Sequence, residues 1–344
     1  MGDYAPPFTI TNKILTYVSS ISEKIGRITA TSSLESKPHL RRNNRIKSIH
    51  SSLKIEANSL SLGQVRDVIG GKTVLGKQTE IQEVKNAYEA YERLSEIDPY
   101  SIKDLKTFHG IMTRYLVNES GDFRHGEEGV FNGDQCIFMA PPAHLVPELM
   151  SDLFNWMNKS RNTIHPLIFA SVFHYEFVFI HPFADGNGRM ARLMHLWYLV
   201  QQGYSSALFV PLSEYINKSR KSYYDAYTLV EKNARISGML DATPFLVYFI
   251  EHVYHKLNEA LPAAQTTAVF QEALSHGQVT EKEKALWEFV LSAYGDAEFS
   301  TKQLEKDFGN AAYATIRSFV LKFEKLGLLK STQYGNRVKY AVCV

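Results

Sequence analysis

The tightest constraint on this chain is one run of residues, His181-Pro182-Phe183-Ala184-Asp185-Gly186-Asn187-Gly188-Arg189-Met190-Ala191-Arg192. Asp185 to Gly188 is a short polar turn. Its two glycines let the backbone take conformations that a Cβ blocks, and they bring N–H groups close to a ligand. From about Arg189 to Gln202 the pattern is apolar and helical, with Gly203 placed to end it. The turn therefore sits at a helix N-terminus, where unpaired N–H groups and the dipole attract anions. Arg189 and Arg192 are three residues apart and share one face of the first turns. Two guanidinium forks over a nest of N–H groups suit a polyphosphate. Asp185 sets a carboxylate beside it, and Mg2+ in such sites is held by one or two carboxylates plus phosphate oxygens. His181 is the side chain here whose ordinary pKa permits base work near pH 7.

Rival readings fail on the residues. No G-x-x-x-x-G-K-S/T occurs, so the nest is not a P-loop. A dinucleotide fold lacks its third glycine, and no β alternation precedes the turn. His165, His174, His181 and His195 are spaced by 9, 7 and 14, which matches no zinc pattern. Cys136 and Cys343 make neither a disulfide framework nor a metal pair. The net charge of +2 is too near neutral to argue for nucleic acid or an anionic membrane. No apolar run is long enough to span a bilayer, and no secretory leader pattern opens the chain. A cytoplasmic protein without membrane contact is expected. With 344 residues and 44% apolar content, it has room for a sizeable core and a second domain.

The run resembles the signature of the Fic family, His-x-Phe-x-Asp/Glu-Gly-Asn-Gly-Arg-x-x-Arg, with every fixed position filled. The resemblance implies transfer of AMP from ATP to a Ser, Thr or Tyr hydroxyl of a target protein. By the same resemblance His181 takes the hydroxyl proton and Phe183 anchors the loop. Asp185 holds Mg2+ against the α- and β-phosphates. Gly186, Asn187, Gly188 and Arg189 form the anion hole, and Arg192 reaches the γ-phosphate. Transfer to phosphorus needs positioning and charge neutralisation more than covalent help.

Along the chain, Thr11-Asn12 opens a helix to about Thr29, and a second helical pattern covers His39 to Leu53. There Ser52 and Glu56 are four apart and share a face. Many Fic proteins carry an inhibitory Ser/Thr-x-x-x-Glu-Gly/Asn motif on a helix before the core. Ser52 and Glu56 are similar to it, with Ala57 standing where the family has Gly or Asn. The resemblance implies that Glu56 pairs bidentately with Arg192 and takes it from the γ-phosphate. Helices follow at Thr79–Leu94 and from Ile102 to about Tyr115, the latter capped by Ser101. Gly121-Asp122-Phe123-Arg124 precedes two β-prone runs around Asn132-Gly133-Asp134, a hairpin signal. In Fic proteins this place holds a flap that pairs with an extended target segment. Cys136, Ile137, Phe138 and Met139 are its expected edge. Further helices are expected at Pro142–Asn158, from Pro166 up to the motif, from Pro211 through Tyr227, and at Pro244–Leu261. Residues 262 to about 280 read as a linker.

The tail changes character. Three helical runs (Glu281–Tyr294, Thr301–Phe308, about Ala311–Leu326) and a hairpin around Gly335-Asn336 resemble a winged helix-turn-helix. Its recognition helix would carry Tyr313, Thr315, Arg317, Ser318 and Lys322. From His276 on, ten Lys/Arg face eight Asp/Glu, a meagre footprint for DNA.

The expected architecture is mostly α: a Fic helical fold with a β-hairpin flap, plus a small α+β winged-helix domain. The expected divisions are 1–98 with the inhibitory motif, a core at 99–235, helix and linker at 236–275, and 276–344. The alternatives are removal of AMP, with Glu56 orienting water, and a nucleotide-sensing regulator that binds DNA. Homo-oligomerisation is left open.

Overall fold

The computed structural model describes residues 4–31, 38–132, 135–204, 207, 211–255, 264–294, 298–335 and 337–343. The chain forms two compact units, Met1–Thr31 with Arg45–Leu257, and Ser32–Asn44 with Asn258–Val344.

The first unit is built on α7 (Pro166–Ile180) and α8 (Asn187–Gln201), which pack against each other. Both are buried nearly all round, as their apolar sequences require. His165 caps α7 through Nδ1, which accepts from the Leu167 N–H at 3.2 Å. Around this pair lie α1 (Asn12–Thr31), α2 (Pro38–Ile55), α3 (Leu62–Ile69), α4 (Gln78–Glu92), α5 (Ile102–Met112) and α6 (Val146–Ser160). The α2 side chains Ile46, Ile49 and Leu53 are buried, as their spacing predicts. Ser101 accepts from the Asp104 N–H and caps α5. Between α5 and α6 a hairpin rises, β1 (Gly129–Asn132) antiparallel to β2 (Gln135–Met139), with a register irregularity at Val130/Phe131.

Past α8 run α9 (Leu212–Lys218), α10 (Arg220–Ser237) and α11 (Thr243–Tyr248). The single helix expected from Pro211 is thus two, separated at Ser219. The helix expected from Pro244 changes to a π-helical turn at Phe249–Tyr254. The wider turn carries Tyr254 Oη to 2.7 Å from His195 Nε2 and 2.9 Å from Ser171 Oγ. Tyr254 thereby pairs two buried polar groups on other helices at the expense of helix regularity.

The second unit holds α12 (Ala264–Ser275), α13 (Glu281–Ala293), α14 (Thr301–Phe308) and α15 (Tyr313–Lys325). A hairpin, β3 (Leu329–Tyr334) with β4 (Arg337–Val342), completes it, and Phe299 adds a bridge to Tyr340. The linker expected over 262–280 is a correction: most of that stretch is α12. Its helix is held because Phe270 and Ala273 pack into a core with Trp287, Phe319 and Phe323. Lys322, expected on a recognition surface, instead donates to Glu283 Oε1 and Oε2 at 2.8 and 2.7 Å.

Candidate active site

The site forms at the turn joining α7 to α8. α7 ends at His181, whose φ of 52° and ψ of 59° are left-handed. A residue with a Cβ rests there only when neighbours hold it. Its Nδ1 lies 3.3 Å from the Val178 carbonyl. A proton on Nδ1 leaves the Nε2 lone pair to act as base. Burial, above all, holds His181 below the usual imidazole range.

Phe183 is fully buried and stacks on His109 at 3.6 Å between centroids. The Asn187 amide closes the turn: Oδ1 accepts from the Phe183 N–H at 3.0 Å, and Nδ2 donates to the Phe183 carbonyl at 2.7 Å. The Asn187 side chain is therefore spent on bracing the turn from within. Gly186 sits at φ 83°, and a Cβ there would lie 3.0 Å from Thr113 Cγ2. Only glycine meets both conditions without strain.

Arg189 is buried, with Nη2 2.5 Å from Asp185 Oδ2 and Nη1 3.5 Å from Glu83 Oε1. Its Nε and Nη1 make no hydrogen bond. Buried donors without acceptors are uncommon and call for an incoming group. Asp185 Oδ1 accepts from the Gly186 N–H at 2.6 Å. Burial pushes the Asp185 carboxyl up, but Arg189 and the Gly186 N–H outweigh it and hold the pKa below the usual range. Among the described residues no group of three His, Cys, Asp or Glu could hold a metal. Asp185 is half-exposed at the turn, and a single carboxylate of that kind is what Mg2+ shared with phosphate oxygens would need.

Arg192 points from α8 to the end of α2. Its Nε donates to Ser52 Oγ at 2.9 Å, and Nη2 donates to the Ser52 carbonyl at 3.0 Å and to Glu56 Oε1 at 2.7 Å. Ser52 and Glu56 are thus brought to the motif from more than a hundred residues away. The pair is single-point, not bidentate as expected, and the Glu56 side chain is 36% exposed. A charged hydrogen bond of this kind contributes on the order of 1–3 kcal/mol, less than a fully buried pair. A Cβ on Gly188 would meet Glu56 Oε1, so the carboxylate rests on the N-terminal turn of α8. Ala57 has φ 67°, the left-handed conformation that suits the family's Gly or Asn.

Residues that the motif did not reveal support this arrangement. Asn58 Nδ2 donates to Glu83 Oε2 at 2.7 Å, fastening the Glu56 turn to α4. His109 Nδ1 accepts from the Gly121 N–H at 2.9 Å, which leaves Nε2–H to donate to the Asp185 carbonyl at 2.9 Å. Burial pulls His109 down to about 4, so it stays neutral in that role. Arg124 Nε donates to the His181 carbonyl at 2.7 Å. Gly121-Asp122-Phe123-Arg124 stood out in the sequence, but nothing in its spacing announced these contacts.

The expected flap edge is strand β2, paired with β1 along one side. The side chains of Cys136 and Ile137 lie outside the described residues, as does the turn at 133–134. Phe138 is half-buried and faces Phe179, and Met139 is exposed. His174 and His195 are buried, with Nε2 of each at hydrogen-bond distance from Tyr223 Oη and Tyr254 Oη, at 2.9 and 2.7 Å. Tyr223 and Tyr227 belong to the same core, while Tyr224 is exposed over Arg220.

Comparison with known proteins adds independent evidence. The Fic/DOC family model matches residues 99–199. The solved structure of a Fic family protein from Desulfovibrio desulfuricans G20 is 36% identical, with a TM-score of 0.69 over 99% of this chain and 98% of that one. A Caenorhabditis elegans Fic-1 fragment, residues 134–508, is 26% identical with a TM-score of 0.59, over 74% of this chain and 73% of that one. Among curated proteins, the C. elegans protein adenylyltransferase fic-1 is 29% identical over 64% of this chain and 42% of its own length. The Culex quinquefasciatus protein adenylyltransferase Fic is 30% identical over 52% and 36%. The chain thus spans about two fifths of the length of the curated relatives it matches. With the full motif on one turn and a 36% identical relative matched end to end, this chain belongs to the Fic family.

Proposed function

We propose that the protein is an adenylyltransferase that moves AMP from ATP to a Ser, Thr or Tyr hydroxyl of a target protein, and that Glu56 holds it in check. The observation that carries this reading is Arg189, a buried guanidinium with two unmatched donors beside the Gly186–Gly188 turn. The curated relatives named protein adenylyltransferases support it.

In this reading the β- and γ-phosphates lie on the N–H groups of the turn and on Arg189, and Arg192 turns from Glu56 to the γ-phosphate. Mg2+ would sit on Asp185 and neutralise charge on the α- and β-phosphates. The hydroxyl oxygen forms a bond to the α-phosphorus while the bond to the β-phosphate oxygen breaks. Pyrophosphate leaves, and the hydroxyl proton passes to His181 Nε2. Strand β2 offers backbone groups to an extended target segment. While Glu56 rests over Gly188 and on Arg192, the γ-phosphate has neither space nor partner. One reversed reading has an observation behind it. The Glu56 carboxylate lies against Gly188, seven residues after His181 in the same turn, as removal of AMP by an oriented water would need.

The test is incubation of wild type, Glu56→Gly and Glu56→Gly/His181→Ala with Mg2+ and ATP radiolabelled on the α-phosphate, with cell-lysate proteins as acceptors. Label on protein with Glu56→Gly alone is the expected result. Silence from all three despite ATP binding rejects transfer. Release of AMP from pre-modified protein by wild type, lost in Glu56→Gly, would establish the reversed reaction.

A further inference from the structure

Arg124 carries a full charge into the interior, with 2% of its surface exposed. Every hydrogen bond described for its guanidinium goes to a backbone carbonyl. Nε donates to His181 O at 2.7 Å, Nη1 to Gly126 O at 2.8 Å, and Nη2 to Pro141 O at 2.5 Å and Ile180 O at 3.4 Å. Its own N–H donates to Pro182 O at 2.9 Å. Burying a guanidinium is expensive, and an apolar side chain would fill the same volume. The acceptors explain its presence. Gly126 and Pro141 flank the hairpin, just before β1 and just after β2, and the Ala140 N–H to Glu128 carbonyl bond closes its base. Ile180, His181 and Pro182 are the turn in which His181 is left-handed.

We propose that Arg124 is a positioning residue that locks both feet of the hairpin to the backbone of His181, setting the imidazole against whatever segment pairs with β2. It acts through His181 and touches no substrate. Its fixed fork reaches carbonyls on two sides at once, which the single ammonium of a lysine cannot do. Holding the His181 carbonyl holds ψ of that residue, and so the direction of the ring and the approach of Nδ1 to Val178 O. The inference rests on the reading of His181 as base and of the hairpin as target edge.

The test uses the full chain in the Glu56→Gly background, comparing Arg124→Met, which keeps volume, and Arg124→Lys, which keeps charge. ATP affinity and folding should hold at the parent values while AMP transfer falls about 100-fold, the scale of a misplaced reacting group. A readout independent of ATP is the His181 tautomer, measured by 15N shifts of the ring nitrogens in histidine-labelled protein. The parent should show the Nδ1–H form, and the variants a mixture. Unchanged transfer with an unchanged tautomer overturns the proposal. So does a parallel fall in ATP affinity, which would mean that Arg124 only supports the phosphate turn, and so does failure of both variants to fold. A Glu56→Gly parent that labels nothing rejects adenylyl transfer, and the tautomer still decides Arg124.

Discussion

The turn between α7 and α8 and the second unit treat their polar groups in opposite ways. In the second unit the polar groups answer one another locally. Thr280 and Glu283 form a reciprocal capping box on α13, Ser300 caps α14, and Lys322 spans to Glu283. Among the described residues, no buried side-chain nitrogen or oxygen of that unit lacks a partner. At the α7–α8 turn, Arg189 Nε and Nη1 make no hydrogen bond, although Nη1 lies 3.5 Å from Glu83 Oε1, and His181 is left-handed despite its Cβ. One arrangement is complete as folded. The other, on the reading proposed above, is completed by the phosphates of ATP. Unmatched buried atoms also occur elsewhere in the first unit, at Arg66, His174, Tyr175, His195 and Tyr198, and it is their coincidence with a left-handed His181 that singles out the turn.

The largest expected effect comes from Arg189→Met. It should weaken ATP binding about 100-fold, the loss of one or two charged hydrogen bonds, yet leave the melting temperature equal or higher. Calorimetric titration and thermal melts would check this, and a fall in melting temperature would show Arg189 to be structural.

Glu176 could break the comparison, because its Oε1 is unmatched although it lies outside the site. Its Oε2 accepts from Tyr4 Oη at 2.7 Å, and burial pushes its pKa up to about 7. A folded pKa above the unfolded value means stability that is full below about 4.5 and lost as pH rises through 7. The loss is at most roughly 3 kcal/mol. Buried His109, held down to about 4, acts in the opposite sense, so the share of Glu176 is read as a difference: the melting temperature of Glu176→Gln should gain on that of wild type as pH rises from about 4.5 to about 8.

Ala57→Gly relieves a left-handed alanine and should stabilise the fold by about 1 kcal/mol. If Glu56 inhibits, the same change should lower residual transfer by wild type, read as labelled protein per hour. The smallest effect is expected in the second unit, where Lys322→Met removes a half-exposed pair of about 0.5 kcal/mol. It should leave ATP binding untouched. A loss of ATP binding there would end the contrast between the two regions.

Much of this was legible in the chain. The motif announced its helix, its glycines and its arginines, because those roles depend on neighbours within a few residues. The Ser52–Glu56 spacing was legible too, but only through resemblance, since its partner Arg192 is 140 residues from Ser52. α12 was not legible. Three of its six apolar residues are alanines, and burial of Phe270 and Ala273 against a later core is a tertiary event. The π turn at Phe249–Tyr254 was equally hidden, because it serves His195 and Ser171 on other helices.

By itself, then, the sequence determined the helices with strong periodicity, the caps, and a glycine-rich turn at the start of α8. Propensity, glycine freedom and the helix dipole act over one or two turns of chain. The tertiary structure decided which buried charges were matched. It put Glu56 on Arg192, Asn58 on Glu83, His109 behind Asp185, and Arg124 between the hairpin and His181. Those contacts join segments far apart in the chain, and their strength comes from the exclusion of water, which exists only once the helices have packed.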